Sequence, residues 1–155
     1  MIVGDSARNH HIFAILDQKQ AEHQNMVIEA QGNTQGMKVS VLFDSRATNS
    51  FISSSLVAKS GIPVVKARNK WQVELALGSR VSADIIAPDC KIHMKSFTTL
   101  ANLRVIPLGS YDIVLGMDWL EQHQAILDCK DKSISCVDDS GSARIIMGIK
   151  RPISL

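Results

Sequence analysis

Two stretches of the sequence place an aspartate next to an apolar run. In the first, Val41-Leu42-Phe43 leads into Asp44, a short turn rich in hydroxyl side chains follows, and apolar residues resume at Phe51. In the second, Tyr111 to Leu120, an apolar run ends at Gly116 and is followed by Met-Asp-Trp-Leu. A carboxylate left dry and unpaired costs several kcal/mol, so Asp44 needs close hydrogen-bond donors or a chemical function. The simpler alternative is a strand-end aspartate that accepts N–H bonds from its own turn.

Taken together, the two stretches resemble the paired signatures of retropepsin-like aspartic proteases. The similarity is greatest to the protease segment of gypsy-type LTR retrotransposon polyproteins from plants, and it extends over about Asn25 to Gly148. In that family two hydrophobic residues and Asp-Ser/Thr-Gly-Ala-Thr/Ser form the catalytic loop, and Ile-Leu-Gly-Met-Asp-Trp-Leu follows roughly seventy residues later. Here Leu115 and Gly116 follow Asp44 by 71 and 72 residues, but Arg46 stands where the family has glycine.

The resemblance implies a role for each residue of the first loop. Asp44 is the expected catalytic carboxylate, and the Ser45 hydroxyl is expected to bond to backbone groups that lock two such loops together. In the family the N–H of the third residue donates to the aspartate, and the absence of a side chain permits close approach; here that residue is Arg46. Ala47 and Thr48 are expected to line the adjacent substrate-binding and loop-support positions.

The implied reaction is hydrolysis of a peptide bond by water, with no cofactor and no metal. One carboxylate acts as general base on the water, while a second, protonated carboxylate donates to the carbonyl oxygen. The chain supplies a single candidate, Asp44, and 155 residues cannot hold the two lobes of a pepsin-like monomer. The site is therefore expected to form across the two-fold axis of a homodimer, with a polypeptide as the substrate.

Arg46 leaves the activity of the expected enzyme open. A guanidinium beside two carboxylates would keep both ionised by lowering the pKa of the one that must stay protonated. The two-fold axis would also duplicate its bulk, and a β-carbon adds strain if the loop needs a positive φ. The long side chain can instead turn its charged end out to solvent. Three functions stay open: an active self-processing protease, a catalytically silent remnant, and a domesticated dimerisation or peptide-binding module.

The elements that must hold this site indicate an all-β domain: a single-lobe, retropepsin-like closed β-barrel with one or two short helices and a flap hairpin. Alternating apolar residues over 37–43 predict a half-buried strand that ends at Asp44. A short helix is predicted over Ser53 to Lys59. Tyr111 to Leu115 is predicted to be a fully buried strand, and Gly116 lets it pass close behind the catalytic loop because glycine has no Cβ.

The best hairpin signal lies between these elements. Trp71 to Leu77 and Arg80 to Ile86 are predicted to pair through a two-residue turn, Gly78-Ser79, with glycine first. In the resembled family, a hairpin at this place is the flap that closes over the substrate, and its mobile tip here would be Leu77, Gly78 and Ser79. The alternative is an ordinary meander hairpin.

Three local patterns complete the prediction. Asp118 is expected to cap a short helix after Gly116, and Pro88 to Lys91 is expected to interrupt the strands around it. Asp139-Ser140-Gly141 matches the family tripeptide literally, but Asp138 precedes it in place of an apolar pair and only 14 residues follow it. We therefore predict a tight turn there and not a catalytic loop.

Composition limits the remaining function classes. A hydrophobic content of 45% with a net charge of +2 is typical of one folded domain and gives no electrostatic support for nucleic-acid binding. The apolar runs are far shorter than the about 20 residues of a membrane span, so no membrane partner is expected. The three cysteines are expected to be reduced, and neither they nor the five histidines have metal-ligand spacing.

Location and domain bounds follow from the same survey. Met1 to Leu16 shows no secretory signal, so we expect a cytoplasmic or intraparticle protein that is not secreted. We expect a linker over residues 1–24, the protease domain over 25–148 and a C-terminal tail over 149–155.

Overall fold

The computed structural model describes residues 9–11, 27–75, 78–95 and 97–150. Within these ranges the chain forms two short helices, α1 Ser54–Ser60 and α2 Met117–Gln122. The strands are, in chain order, β1 Asn9–His11, β2 Val27–Thr34, β3 Met37–Asp44, β4 Phe51–Ser53, β5 Val65–Lys66, β6 Gln72–Glu74, β7 Arg80–Ser82, β8 Ile85–Met94, β9 Thr98–Ile106, β10 Ile113–Leu115, β11 Ile126–Asp128, β12 Ser133–Val137 and β13 Ala143–Met147.

Six of these strands close into a barrel. Their order is β2-β3-β10-β4-β9-β8, and the barrel closes where Met94 and His93 of β8 pair with Gly32 and Asn33 of β2. Strand β5 pairs with the first residues of β8. Closure gives every barrel strand two hydrogen-bonded neighbours. The expected all-β, retropepsin-like closed barrel with two short helices is confirmed.

The strand that ends at Asp44 does not pair with the strand that follows it. Strand β10 lies between β3 and β4: Leu115 pairs with Phe43 in a parallel ladder, and Val114 pairs with Phe51 in an antiparallel one. Residues 45–50 must therefore pass around the end of β10. This inserted strand brings two distant parts of the sequence together at the predicted site.

The core consists of two apolar clusters that lie on opposite faces of β3 and β10. The larger cluster fills the barrel and includes Phe43 and Trp119, whose rings meet edge to face at 5.4 Å between centroids. The smaller cluster joins Leu42 of the barrel to Val73 and Ala83 of the β6–β7 hairpin. Strands β3 and β10 are thus covered on both faces, and the hairpin packs against the outside of the barrel.

The first helix is capped at both ends. The Ser53 side chain accepts the N–H of Ser55 at 3.3 Å, and the N–H of Gly61 donates to the Val57 carbonyl at 3.3 Å. Gly61 has a φ of 73°, the left-handed conformation that favours glycine at a helix C-terminus. The predicted helix over Ser53 to Lys59 is confirmed, shifted by one residue.

The predicted interruption at Pro88 to Lys91 is wrong. Strand β8 runs through it, with a shift in register between Ala87 and Cys90. Asp89 has a φ of 46°, and its N–H donates to the Asn102 side chain at 2.8 Å and not to the β9 backbone. A bulge of this kind accepts a proline because the ladder needs no N–H there.

The tight turn predicted at Asp139-Ser140-Gly141 is confirmed. Strands β11, β12 and β13 form a separate antiparallel sheet, and Asp139-Ser140-Gly141 lies in the turn between β12 and β13. The Asp138 carboxylate accepts the N–H groups of Ser140 and Ser142, both at 2.9 Å. This tripeptide therefore belongs to a turn that its own preceding aspartate organises.

The N-terminal region contributes one described strand. The backbone of β1 pairs in parallel with β6, with His10 opposite Val73, so the β6–β7 hairpin becomes a three-stranded sheet. The rest of the expected linker over residues 1–24, and residues 151–155 of the expected tail, lie outside the described residues. Among the described helices, none is long and apolar enough to cross a membrane.

Candidate active site

Asp44 is the last residue of β3 and its side chain is fully buried. Its Oδ1 accepts the Arg46 backbone N–H at 2.8 Å. Its Oδ2 is also buried and has no hydrogen-bond partner among the described residues. A buried carboxylate with one satisfied oxygen and one open oxygen is costly to keep ionised in a single chain. The open oxygen can accept a proton, a water or a second carboxyl group.

The Arg46 side chain turns inward. The alternative considered from the sequence, in which its charged end points to solvent, is therefore wrong in the single chain. Its Nε lies 3.5 Å from Asp44 Oδ1, and its side chain is only 13% exposed. Arg46 is not among the residues with positive φ, so the loop accepts a β-carbon there without backbone strain. The family's backbone N–H bond to the aspartate is thus present, although a cation has replaced the glycine.

Burial and Arg46 act on Asp44 in opposite directions. Burial has the larger effect and raises the pKa of Asp44 above its ordinary value of 3.8. The Arg46 N–H bond, the Arg46 charge and its side-chain N–H all lower the pKa of the same carboxyl. Since the net direction is upward, Arg46 does not by itself hold this carboxylate ionised in the single chain.

Gly116 lies directly behind the Asp44 loop. A Cβ on Gly116 would sit 2.3 Å from the Asn49 carbonyl oxygen and 2.6 Å from that of Ala47. Both obstacles are backbone atoms, so no side-chain rotation can remove them. The next residue, Met117, donates its N–H to the Ala47 carbonyl at 2.7 Å. This contact fixes the end of β10 and the start of α2 to the loop.

Ser50 and Asp118 reinforce the same junction, and no motif in the sequence points to this role of Ser50. The Ser50 hydroxyl accepts the Gly116 N–H at 3.1 Å and donates to Asp118 Oδ1 at 2.6 Å. Asp118 lies in the first turn of α2 and accepts the N–H of Trp119 at 2.8 Å; the N-cap itself is Gly116. The prediction of Asp118 as the capping residue is therefore wrong by position, although its carboxylate does stabilise the helix start.

The remaining loop residues differ in exposure. Ala47 is fully buried in the cluster beneath the hairpin, so in the single chain it packs and does not line an open cleft. Ser45 and Asn49 are half-buried, and Thr48 is exposed, with its hydroxyl donating to Asn49 at 3.0 Å. Thr48 is therefore available to a second molecule.

The predicted hairpin is present, but the predicted length of its turn is wrong. Val73 pairs with Val81, and the ladder ends where the Leu75 N–H donates to the Ser79 carbonyl at 2.8 Å. Three residues separate Leu75 from Ser79, so Gly78-Ser79 is not a two-residue turn. Gly78 has a φ of 92°, which suits the last position of a three-residue hairpin loop. Leu77 of the predicted tip lies outside the described residues.

The hairpin and the Asp44 loop share one apolar cluster. Ala47 in the loop and Phe51 directly after it pack with Val73 and Ala83 of the hairpin. The hairpin therefore lies on the side of the barrel where the Asp44 loop emerges. The arrangement has the parts of a covered cleft: a buried carboxylate, a rigid loop and a hairpin beside it.

A separate polar cluster lies on the other side of α2, and no spacing in the sequence predicts it. His123 is buried, and its two ring nitrogens face the Trp119 carbonyl at 3.0 Å and Asp139 Oδ1 at 2.7 Å. Thr99 donates to the same Asp139 oxygen at 3.0 Å and accepts the Trp119 indole N–H at 3.1 Å. Asp139, the first residue of the literal family tripeptide, thus holds α2 and β9 together.

A cavity of about 450 Å³ opens beside this cluster. Its walls include Ser50, Leu100 and Trp119, and it carries the carboxylates Asp89, Asp118 and Asp139. Within the described ranges, no group of three or more histidine, cysteine or acidic side chains is arranged to hold a metal ion. The cavity backs onto the Asp44 loop through Ser50 and does not include Asp44.

The closed barrel with its inserted β10 defines the single-lobe aspartyl protease fold, and the sequence gives the same class. A profile of the retroviral aspartyl protease family matches residues 6–142. The chain belongs to this family.

A solved structure has the same fold. The chain is similar to the retroviral protease-like domain of Ddi1 from Leishmania major, at 16% identity and a TM-score of 0.57, over 81% of this chain and 95% of that one. It is more weakly similar to Lpg0085, a protein of unknown function from Legionella pneumophila, at 11% identity and a TM-score of 0.39, over 61% of this chain and 84% of that one. A search of curated protein sequences finds no match.

Proposed function

We propose that this domain is an aspartic-type endopeptidase that acts as a homodimer on polypeptide substrates. The observation that carries the proposal is Asp44, a fully buried carboxylate at the end of β3 with one oxygen bonded to the loop and one oxygen open. Family membership supplies the reaction class. The proposal assigns to Asp44 the role of catalytic carboxylate, paired with Asp44 of a second copy.

The chemistry of the pair follows from its burial. Asp44 is the only acidic side chain among the described residues that is classed as buried, so one chain supplies one such group. Two carboxylates at a two-fold axis share a proton, because ionising both in one dry site is unfavourable. The ionised member activates a water, and the protonated member donates to the carbonyl of the scissile peptide bond. Burial raises the pKa of Asp44, which acts in the same direction as the sharing of a proton between two such carboxyl groups.

The neighbouring residues have supporting roles in this proposal. Ser45 and Thr48 lie on the loop where a partner loop would meet it, and Gly116 with Leu115 holds the loop from behind. The β6–β7 hairpin acts as the flap, with its tip at Leu77, Gly78 and Ser79. The protease domain spans residues 25–148, and no cofactor takes part in the reaction.

The biological setting we propose is polyprotein processing by a retroelement, of the gypsy type found in plants. This origin is supported by the Asp44 and Tyr111–Leu120 sequence patterns together with the family match. The substrate is then a polyprotein, and the compartment is the cytoplasm or a particle assembled there.

A second candidate is a catalytically silent dimerisation or peptide-binding module. The observation that favours it is Arg46, whose Nε lies 3.5 Å from Asp44 Oδ1 with the side chain 13% exposed. A second copy would bring a second guanidinium to the same axis, and two cations favour the ionised form of both carboxylates. Substrate could then bind in the groove without hydrolysis.

Peptide cleavage at mildly acidic pH distinguishes the two candidates. The parent is compared with Asp44→Asn and Arg46→Gly, and each protein is also run in sedimentation to measure its dimer fraction. Arg46→Gly is expected to raise both activity and dimer stability, since it removes a bulky cation at the axis. Asp44→Asn is expected to abolish turnover. Arg68→Gly, at an exposed loop position, is the control for loss of an arginine.

Each outcome of these measurements supports or contradicts one of the two candidate functions. Cleavage by the parent that Asp44→Asn removes supports the endopeptidase. Cleavage by Arg46→Gly alone supports the silent module, with the catalytic geometry preserved. If the glycine variant is no better than the parent in either measurement, the inhibitory role of Arg46 is wrong. If no variant cleaves, the endopeptidase proposal fails.

A further inference from the structure

Arg104 is a buried cation at the base of the β6–β7 hairpin. It lies in β9, on the barrel wall, and is only 9% exposed. Burying a cation is costly unless other groups compensate it. The groups that compensate Arg104 come from the hairpin and not from the barrel.

The Arg104 guanidinium contacts both arms of the hairpin. Its Nη1 donates to the Asn69 carbonyl at 3.0 Å on the incoming arm and to the Ala83 carbonyl at 2.5 Å on the outgoing arm. Its Cζ lies 3.6 Å from the centre of the Trp71 ring, a cation–π contact. The two arms are joined at the same level by the bond from the Ala83 N–H to the Trp71 carbonyl at 2.8 Å.

The balance of charge at Arg104 fits a cation retained for position. Burial lowers the pKa of Arg104, and the nearby Asp84 charge acts against that effect. Arginine nevertheless stays charged in proteins, so the cost of burial is met by the carbonyls, the indole ring and the carboxylate. All four groups lie in residues 69–84, which form the hairpin and its two ends.

The backbone of the same residue is bonded to the end of the Asp44 loop. The Arg104 N–H donates to the Ser50 carbonyl at 3.1 Å, and Arg104 pairs with Phe51 in the parallel β4–β9 ladder. One residue therefore joins the far end of the Asp44 loop, through its backbone, to both arms of the hairpin, through its side chain.

We propose that Arg104 is a positioning residue that pins the base of the flap hairpin at a fixed distance from the catalytic loop. The pinned part comprises residues 69–71 and 83–84, and motion is confined to the hairpin beyond it. This inference rests on the proposed function, because it assigns the hairpin to substrate binding. It predicts that loss of the guanidinium loosens the whole hairpin and weakens substrate binding more than it slows the chemical step.

Hydrogen exchange on the full chain tests the pinning without any need for activity. In Arg104→Met, amides over residues 70–83 are expected to exchange about tenfold faster, while those of β2 and β3 keep the parent rate. Arg104→Lys keeps the charge but not the planar guanidinium that bonds both carbonyls and lies over the Trp71 ring, so an intermediate rate is expected. The matched control is Arg80→Met, because Arg80 lies on the same hairpin with its side chain 58% exposed and 3.9 Å from Glu74.

A third variant covers the case in which Arg104→Met does not fold. Trp71→Leu removes the ring beneath the guanidinium and leaves the carbonyl bonds, so it is expected to speed hairpin exchange by about threefold. The pinning is overturned if exchange rises equally in the hairpin and the barrel, because that would be a general loss of stability. It is also overturned if the hairpin rate does not change in any folded variant.

Peptide cleavage then tests the role in binding. Arg104→Met is expected to raise KM about tenfold and to lower kcat less than about threefold. Arg144→Met, an exposed position in the separate β11–β13 sheet, is the kinetic control and is expected to leave both unchanged. A fall in kcat at constant KM would overturn the positioning role. If neither the parent nor Arg46→Gly cleaves, the proposed function has failed, and the exchange rates alone decide whether Arg104 pins the hairpin.

Discussion

At the scale of single residues, two opposing influences meet at the Asp44 carboxyl. Burial favours its protonated form, and Arg46 favours its ionised form, with burial the stronger of the two. In the family pattern a glycine keeps the backbone N–H bond to the aspartate but adds no side-chain charge that opposes burial. The replacement therefore changes the electrostatics of the site while preserving its backbone bond, the Arg46 N–H at 2.8 Å from Asp44 Oδ1.

Asp44→Asn is expected to change how stability depends on pH. Because the pKa of Asp44 is raised above 3.8, the folded chain holds a proton that the unfolded chain releases between pH 3.8 and the raised value. The parent therefore loses stability as the pH rises through this interval, whereas asparagine cannot ionise. We therefore compare the free energy of unfolding of Asp44→Asn with that of the parent at each pH. The difference, variant minus parent, should be more positive at pH 7 than at pH 3, by on the order of 1 kcal/mol.

Urea unfolding at one protein concentration measures this difference. Asp89→Asn, at an exposed position on the β8 bulge, is the control for replacing an aspartate by asparagine. An equal gain for Asp44→Asn at both pH values would contradict the direction of the Asp44 pKa.

The sequence predicts some of this residue-scale picture and not the rest. The position of Asp44 at a strand end and the nearness of Arg46 follow from local spacing, because both lie in one turn. The inward turn of the Arg46 side chain does not, because it depends on packing by residues far away in the sequence. Asp139 shows the same limit: a tight turn is readable from its neighbours, but its contact with His123 is not.

At the scale of elements, the contact between Gly116 and the Asp44 loop fixes how closely two segments approach. The sequence suggests this contact through the spacing of the two motifs. Sequence reasoning erred where a local signal had two structural solutions: Pro88 was compatible with a break or a bulge, and Gly78 with a two-residue or a three-residue turn. In both cases pairing with a distant strand selected the solution.

Gly116→Ala is expected to be severely destabilising. Its Cβ would lie 2.3 Å and 2.6 Å from two backbone carbonyl oxygens, so the loop or β10 must move. We expect a loss of about 3 kcal/mol or more in the free energy of unfolding, measured by urea titration. Gly36→Ala is the matched control: Gly36 has a φ of 75° but nothing within 4 Å of its Cβ position, so about 1 kcal/mol is expected. Equal losses would show that close approach is not the reason for glycine at 116.

At the scale of the whole molecule, one network of hydrogen bonds connects the C-terminal sheet to the barrel. Asp139 comes from the β12–β13 turn, His123 follows α2 and Thr99 lies in β9. Burial acts to raise the pKa of Asp139, but hydrogen bonds from His123, the Leu100 N–H and Thr99 together lower it below its ordinary value of 3.8. This direction is opposite to that of Asp44.

Asp139→Asn is expected to lower stability at neutral pH and to have less effect in acid. A lowered pKa means that the folded chain releases its proton first, so the carboxylate stabilises the fold above pH 3.8 and loses that effect as the pH falls through the folded value. Because Asp139 is 40% exposed, solvent weakens its hydrogen bond to His123, and a loss of about 1 kcal/mol at pH 7 is expected. Thermal unfolding at pH 7 and pH 3 measures this, and a larger loss at pH 3 would contradict it.

A shared active site predicts the behaviour of mixed dimers. If each dimer needs both Asp44 side chains, adding an equal amount of Asp44→Asn to active protein should lower turnover to about one half by forming inactive mixed dimers. Sedimentation of the same mixture is the check that the total amount of dimer has doubled. Unchanged turnover would mean that each chain acts alone, and Asp89→Asn, which keeps Asp44, should double the activity when added.

The insertion of β10 between β3 and β4 also has a consequence for the order of folding. Strands β3 and β4 are separated by residues 45–50 alone, yet neither can pair with β10 until residues 113–115 are available. Contacts between such distant residues form slowly, because the intervening chain must first close into a loop. During synthesis the Asp44 loop therefore stays unformed until β10 has left the ribosome, some seventy residues after Asp44 itself. An aspartyl protease domain built this way has no ordered carboxylate while its own chain is still being made.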